Sequence, residues 1–338
     1  MSLTFSIRLN NDLAVRELIR IAKTAEDHGF DQIWVSNDLF LRSGPIILAA
    51  IAQHTKAIKI GSGILNPYSI HPSEIAMMAA TLQEVSGGRF LLGIGAGAEE
   101  FLAWAGLERP KPLTRTRETI IAIRALLAGK SPSDVPGSGE GWKPRAQLGT
   151  GGRHTPIYVG AMSPKMLAMA GEHADGVLPL LYPPEHFSTA AAQVAEGAER
   201  AGRKLTEIDL PACFWASVHN DPERASAELA GKIAYYGASF APFLLSRAGL
   251  TVSDFGPIQE ALAEGDTARA RSLVTPTMLG LGIAGNAHDV VTRCQGLMSA
   301  GATHLSFGPP LGPDPEHAVY TLGEQVLPEL RRSVQPNT

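Results

Sequence analysis

The chain has 338 residues, 44% hydrophobic and 18% charged, with a formal net charge of -4; this is a globular composition with ample core material, and without basic blocks or aromatic-basic interleaving it argues against a nucleic-acid partner. Its two cysteines, Cys213 and Cys294, show neither metal-ligand nor redox spacing, which suits a reducing compartment, and no apolar run nears the ~20 residues of a bilayer span. MSLTFSIRLN reads as a strand rather than a signal peptide, so a cytoplasmic protein with no membrane partner is expected.

In chain order, strands and helices alternate. Leu3–Leu9 predicts the first strand, and Val15, Leu18, Ile19, Ala22 and Ala25 keep one helical face until Gly29 ends it. Strand Gln32–Ser36, a helix within Pro45–His54 and strand Ile58–Ile64 follow. Pro72 opens the next helix, with Ile75, Met78, Leu82 and Val85 on one face. Strand Arg89–Ile94 leads to a helix carrying Ile120, Ile123 and Leu127. Lys130–Thr155, rich in Gly, Pro and Ser, reads as a loop or excursion. The rhythm resumes with strand Pro156–Gly160, helix Pro164–Glu172, strand Gly176–Pro179 and helix Pro184–Ala201. Strand Ile208–Val218 and helix Pro222–Tyr236 come next, and Gly237–Gly285 then predicts extra helices. Helix Asn286–Ala300, strand Thr303–Phe307 and helix Asp314–Leu330 complete the pattern. About eight β/α units result, the number that closes an α/β (β/α)8 TIM barrel; an open doubly wound sheet is the alternative. The expected organisation is one barrel domain over residues 1–330, with insertions at about 130–155 and 237–285 and a frayed tail at 331–338.

The chemistry gathers at strand exits, where parallel α/β folds build their sites. Leu92-Gly93-Ile94-Gly95-Ala96-Gly97-Ala98 formally matches the dinucleotide fingerprint G-x-G-x-x-A, with Glu118 about 20 residues on. It falls at the fourth strand and runs into FLAWAGLERPKPL, so it reads better as a tight turn that lets a ring or chain lie against backbone. Glycines serving close packing alone are the plainer alternative. Gly61-Ser62-Gly63-Ile64-Leu65-Asn66-Pro67-Tyr68 ends a strand in a tight turn, where Asn66 and Tyr68 bond either backbone or ligand.

Ile157–Lys165 is a strand, a glycine turn and a helix start, with Ser163 at the N-cap and Pro164 in the first turn. Its free amides suit a phosphate, and simple capping is the alternative. Gly308-Pro309-Pro310-Leu311-Gly312-Pro313-Asp314, after the last strand, is a weaker flank for the same anion. Asn37 and Asp38 end strand two, Glu99 and Glu100 follow the glycine turn, and Asp175 and Gly176 open strand six; each is a cap, a solvated residue or a pocket residue. His71 is either a helix cap or a substrate contact. H-x-x-x-H, C-x-x-C and G-x-S-x-G are absent, so no metal site and no serine hydrolase is expected.

Three motifs in order, GSGILNPYSIHPSEIAMMAATLQEVSGGRFLLGIGAG, TPIYVGAMSPKMLAMAGEHADGVL and GATHLSFGPPLGPD, cover much of the chain. On them it resembles the bacterial luciferase-like family of flavin and deazaflavin barrels and, within it, coenzyme F420-dependent methylenetetrahydromethanopterin reductases. The resemblance implies F420 at the C-terminal mouth of a (β/α)8 barrel, a non-proline cis peptide at Gly63–Ile64 behind its ring, and a phosphate turn at Gly160, Ala161, Met162 and Ser163. The cofactor-facing candidates are these residues with Asn37, Asp38, Ser62, Gly95, Gly97, Asp175 and Gly176.

Departures fall on the substrate side. Asn37-Asp38 stands where members often carry Asp-His, Arg8 where the reductases carry Glu, and Ala98, beside Glu99, where they tend to carry Asp. The expectation is therefore hydride transfer between the deazaflavin C5 and a different small-molecule acceptor. A carbonyl or C=C acceptor would need a proton donor, and Asp38 and Glu99 are the catalytic candidates if burial raises their pKa. The alternatives are an FMN-dependent monooxygenase served by a partner flavin reductase, and a non-catalytic flavin-binding barrel. The family implies a homodimer.

Overall fold

In the computed structural model, which describes residues 3–180 and 183–334, the strands are short, apolar and buried, as strands between a filled interior and an outer helical layer must be. They are β1 (Thr4–Leu9), β2 (Gln32–Val35), β3 (Lys59–Ser62), β4 (Phe90–Ile94), β5 (Ile157–Gly160), β6 (Gly176–Leu178), β7 (Ala212–Val218), β8 (Ile283–Gly285) and β9 (His304–Leu311). Helices α1 (Val15–Asp27), α2 (Gly44–His54), α3 (Pro72–Val85), α4 (Glu99–Trp104), α5 (Pro112–Leu127), α6 (Pro164–His173), α7 (Phe187–Arg200) and α8 (Pro222–Tyr236) lie between or after them. The insertion holds α9 (Pro242–Arg247), α10 (Gly256–Ala263), α11 (Thr267–Ser272) and α12 (Pro276–Leu279), and α13 (Ala287–Ser299), α14 (Pro315–Thr321) and α15 (Leu327–Ser333) end the chain.

All strand pairs are parallel, in the order β6-β5-β4-β3-β2-β1-β9-β7-β8. The sheet curls until its end meets the segment before β7: Val177 N donates to Asp209 O at 2.9 Å, and Asp209 N donates to Asp175 O at 3.0 Å. The result is the TIM-barrel architecture expected from the β/α rhythm. Its main core combines strand residues that face the helices, such as Phe5, Ile7, Phe90, Leu92 and Phe307, with the buried faces of those helices.

Local signals place the elements well. Gly29 ends α1 at φ 81, Pro72 opens α3 behind a capping His71, and Asn286 caps α13 with Asp289 in a reciprocal box. His71 is thereby a cap. The segment 237–282 folds into α9 to α12 over a second apolar cluster around Trp215, Phe240 and Phe255.

Four differences have physical reasons. A three-residue strand, β8, lies at the end of that inserted segment and pairs with β7 through Ala216–Ile283, Ser217–Ala284 and Val218–Gly285. The strand predicted from Ile208 starts at Ala212, because Pro211 has no N–H and Asp209 is used in closing the barrel. β9 runs past Phe307 to Leu311 through a cis Pro309–Pro310 bond, so Gly308 to Leu311 is strand and not a turn. The last helix is interrupted by a π turn at Leu322–Val326, just where Pro328 deprives the ladder of a donor. Helix α15 continues through Ser333, with Arg331 Nη2 donating to Gly29 O at 2.7 Å; residues 335–338 of the expected tail lie outside the described residues. Both cysteines are free and buried, and among the described residues no helix is long and apolar enough to cross a membrane.

The N-terminal end of the barrel is filled by a polar network. Asp209 accepts from Tyr158 Oη (2.7 Å) and Gln32 Nε2 (3.3 Å), and pairs with His304 Nδ1 (2.8 Å). His304 Nε2 meets Ser6 Oγ at 2.8 Å, and Gln32 accepts from Trp34 Nε1 at 3.0 Å. Burial alone would raise the Asp209 pKa, but the His304 charge and the hydrogen bonds from His304, Tyr158 and Gln32 outweigh it and bring it to about 2 from 3.8. A pKa lowered on folding adds stability above the unfolded value, which is lost as the pH falls toward the folded one. Asp209→Asn should therefore cost about 2 kcal/mol at pH 7 in urea denaturation, with the gap to wild type closing as the pH drops from about 4 toward 2.

Candidate active site

The C-terminal strand ends open into a cavity of about 500 Å³, the end of the barrel where sequence analysis places the chemistry. One wall is backbone. The Gly63–Ile64 peptide is cis, with Gly63 N bonded to Val35 O at 2.8 Å and Leu65 N to Gly93 O at 2.8 Å. The Ile64 side chain then fills space that neighbouring glycines leave. A Cβ on Gly160 would lie 3.0 Å from Ile64 Cγ2, and one on Gly95 3.2 Å from Ile64 Cγ1. The wall so formed presents peptide planes rather than side chains, a cradle that fits a flat ring.

Behind it, Asn66 Nδ2 donates to Ala96 O at 3.0 Å and Asn66 Oδ1 accepts from Tyr68 N at 2.8 Å. Tyr68 Oη donates to Pro110 O at 2.6 Å. Both side chains thus serve the backbone. Gly97 has φ 69, and a Cβ there would sit 2.1 Å from Asn66 Nδ2.

On the opposite side the turn Gly160-Ala161-Met162-Ser163 leads into α6, with Ser163 Oγ accepting from Met166 N at 3.4 Å and Pro164 in the first turn. The Ala161 amide is used by Leu178 O at 3.1 Å. Met162 and Ser163 are exposed at the rim, where the start of a helix favours an anion.

The remaining side carries charge. Arg8 from β1, Asp38 after β2, and Lys232 and Tyr236 from α8 all line the cavity. Burial raises the Asp38 pKa, with Lys232 only partly opposing it. Burial lowers Lys232 to about 8 although Asp38 acts in the other direction, and burial pushes Tyr236 up to about 12.

Of the sequence candidates, Asp38, Gly63, Ile64, Gly95, Gly97, Gly160, Ala161, Met162 and Ser163 come together around the cavity. Five others do not line it. Asn37 Oδ1 accepts from Gly44 N at 2.9 Å and holds the start of α2. Ser62 is buried between strands, its Oγ accepting from Gly93 N at 2.9 Å. Asp175 precedes its strand and so lies at the opposite end of the barrel, bound to Ile157 N (2.8 Å) and Arg124 Nη2 (3.0 Å). Gly176 makes room for an aromatic ring: a Cβ there would lie 2.1 Å from Tyr158 Cε1. Glu99 points outward, its side chain 76% exposed and paired with Arg109 Nη2 at 3.0 Å.

Sequence reasoning missed Lys232, Tyr236 and Trp215. The available signal is a lysine on an apolar helix face, since Leu229, Lys232, Ile233 and Tyr236 follow helical spacing in α8.

Residues 3–304 match the luciferase-like monooxygenase family. The chain is 36% identical over 333 residues to a 5,10-methylenetetrahydromethanopterin reductase of Archaeoglobus fulgidus, covering 97% of this chain and 99% of that one. It is 29% identical over 346 residues to an F420-dependent glucose-6-phosphate dehydrogenase of Nakamurella multipartita, covering 94% and 93%. The solved structure of a coenzyme F420-dependent tetrahydromethanopterin reductase from Methanopyrus kandleri superposes with a TM-score of 0.87 at 31% identity, covering 98% of this chain and 100% of that one.

The Gly97–Asn66 contact gives a direct check on the backbone wall. Gly97→Ala places a side chain at positive φ and breaks the Asn66–Ala96 hydrogen bond, which should cost about 2–4 kcal/mol in chemical denaturation. Asn66→Ala should cost about 1–2 kcal/mol, and the double variant should fall short of the sum because both changes remove one shared bond.

Proposed function

Because the chain belongs to the luciferase-like monooxygenase family, we propose that it is a coenzyme F420-dependent oxidoreductase of the methylenetetrahydromethanopterin reductase type, acting on a small organic molecule. The observation that carries this reading is the backbone wall built on the cis Gly63–Ile64 peptide, in a chain 36% identical across its length to such a reductase. The relatives' names span a pterin reductase and a sugar-phosphate dehydrogenase, so the substrate is not taken over from them.

Bound and reduced, F420 supplies a hydride at its C5. Gly63, Ile64, Gly95 and Gly97 offer the flat face for the ring, and the turn from Gly160 to Ser163 receives the anionic part of the cofactor chain at the start of α6. Trp34, Leu178 and Trp215 keep water from the reacting carbon. Asp38 is the one carboxyl among the described residues that line the cavity, and burial favours its protonated form. In its acid form it would give a proton to the carbonyl oxygen of an acceptor reduced by bound F420. An iminium acceptor would be neutralised by hydride alone and would leave Asp38 idle. A homodimer belongs to the same reading and is supported by the family resemblance.

Titration with F420 should give a saturable change in deazaflavin fluorescence and titration with FMN none; tight FMN binding without an F420 response would overturn the reading. With a carbonyl acceptor, Asp38→Asn should lower kcat by about 10²–10⁴-fold and leave the F420 Kd unchanged. Wild-type kcat should fall as the pH rises through the elevated Asp38 pKa, because the acid form is the active one. A variant with full kcat would remove Asp38 as the donor.

A further inference from the structure

The floor of the cavity carries more positive charge than the protein itself answers. Arg8 crosses beside Gly308 of β9, where a Cβ would lie 2.2 Å from Arg8 Nη2, so the glycine provides the seat of the guanidinium. Nη2 donates to Phe214 O at 2.7 Å, while Nε has no partner although Arg8 is only 8% exposed. Lys232 Nζ lies 4.2 Å from the centre of the Tyr236 ring and 5.9 Å from that of Trp215. Among the described residues it makes no hydrogen bond or ion pair. A third cation, Arg109, is already held by Glu99 and by Gly97 O. Asp38, the one acid there among the described residues, forms no ion pair with either Arg8 or Lys232.

We propose that Arg8 and Lys232 form an anion subsite on the cavity floor, and that the small molecule on which the enzyme acts carries a carboxylate bound there. The second half rests on the oxidoreductase reading above. Both cations line the same cavity, and a planar guanidinium together with a compact ammonium suits a group with two charged oxygens. Arg8 is buried, so its contact with an anion is stronger than at the surface. Burial is the main cause that lowers Lys232; Asp38 and Asp12 oppose it and Arg8 adds a smaller push in the same direction, which an anion beside Lys232 would offset. The Trp215 and Tyr236 faces beside it suit the carbon skeleton of an organic acid rather than a bare inorganic ion.

The test is calorimetric titration of the full-length protein with acetate, propionate and butyrate against the matching amides, each with and without F420. The carboxylates should bind at least tenfold more tightly than the amides. Arg8→Gln and Lys232→Met should each weaken carboxylate binding at least tenfold and leave the F420 Kd within threefold. Lys232→Met leaves the backbone contacts of Arg8 intact, so it decides the matter if Arg8→Gln fails to fold. Around Lys232 stand Asp38, Asp12, Arg8 and Tyr236, and burial brings Lys232 down to about 8; carboxylate affinity should fall between pH 7 and 9 in wild type, and less in Lys232→Met. Equal binding of amides, unaltered binding in Lys232→Met, or no carboxylate binding in either arm overturns the proposal. So does a parallel loss of F420 affinity, which would assign the pair to the cofactor. Failure of wild type to bind F420 while carboxylates still bind would instead remove the cofactor reading and leave the subsite standing.

Discussion

The barrel depends on Asp209, because that residue closes it twice over. Its backbone joins β6 to the approach of β7, and its carboxylate gathers Tyr158 from β5, Gln32 from β2 and His304 from β9. A parallel sheet left open at this point would expose unpaired N–H and C=O groups of β6, which is costly away from water. The carboxylate is half-buried and three donors answer it, so it stays charged. Pro211, two residues on, has no N–H to give a ladder, so closure rests on one residue and not on a long strand.

From that network the interior is built upward in layers. Tyr158 bonds Asp209 with its hydroxyl and packs edge-on against Trp34, the ring centroids 4.8 Å apart. Trp34, Leu91, Tyr158, Leu178 and Cys213 form a separate apolar layer that Ile64 and Leu180 cover. The cavity begins directly above, where Ile64 is the lid of the core and also part of the backbone wall. A shift in the lower network would therefore reach the site through contact between rigid side chains, since close-packed interiors transmit displacement.

Much of this was legible in the sequence wherever the determinant is local. The strand-turn-helix rhythm, the first-turn prolines at Pro72 and Pro164, the Asn286 cap and the glycines at 63, 95, 97 and 160 each act within a few residues. What was not legible depends on distant pairings. Asn37, Ser62 and Asp175 look like pocket residues from their neighbours, but each is used by backbone amides that only the fold brings near. Asp209 gives no sign of being a hub, because its partners lie 51, 95 and 177 positions away. β8 is three residues long and follows an irregular insertion, too short for any periodicity. Lys232 reads as a solvated helix residue until β1 and β2 are seen to face it.

Two half-buried acids show how one sheet serves structure at one end and chemistry at the other. Burial raises the pKa of both Asp209 and Asp38, so the difference lies in what answers the carboxylate. Asp209 receives hydrogen bonds from Tyr158, Gln32 and His304 and is held ionised. At Asp38 the Lys232 charge and the Ser36 hydroxyl oppose burial only in part, so its pKa stays raised. Three more donors at Asp38 would give a firmer loop and an acid with no proton to give. The lower network can be fully satisfied because nothing must enter it. The cavity keeps an acid whose pKa is raised, an arginine with an unused N–H and a lysine over aromatic rings. Such unmet polar groups lower stability in an empty barrel, and they are arranged where a bound molecule can satisfy them.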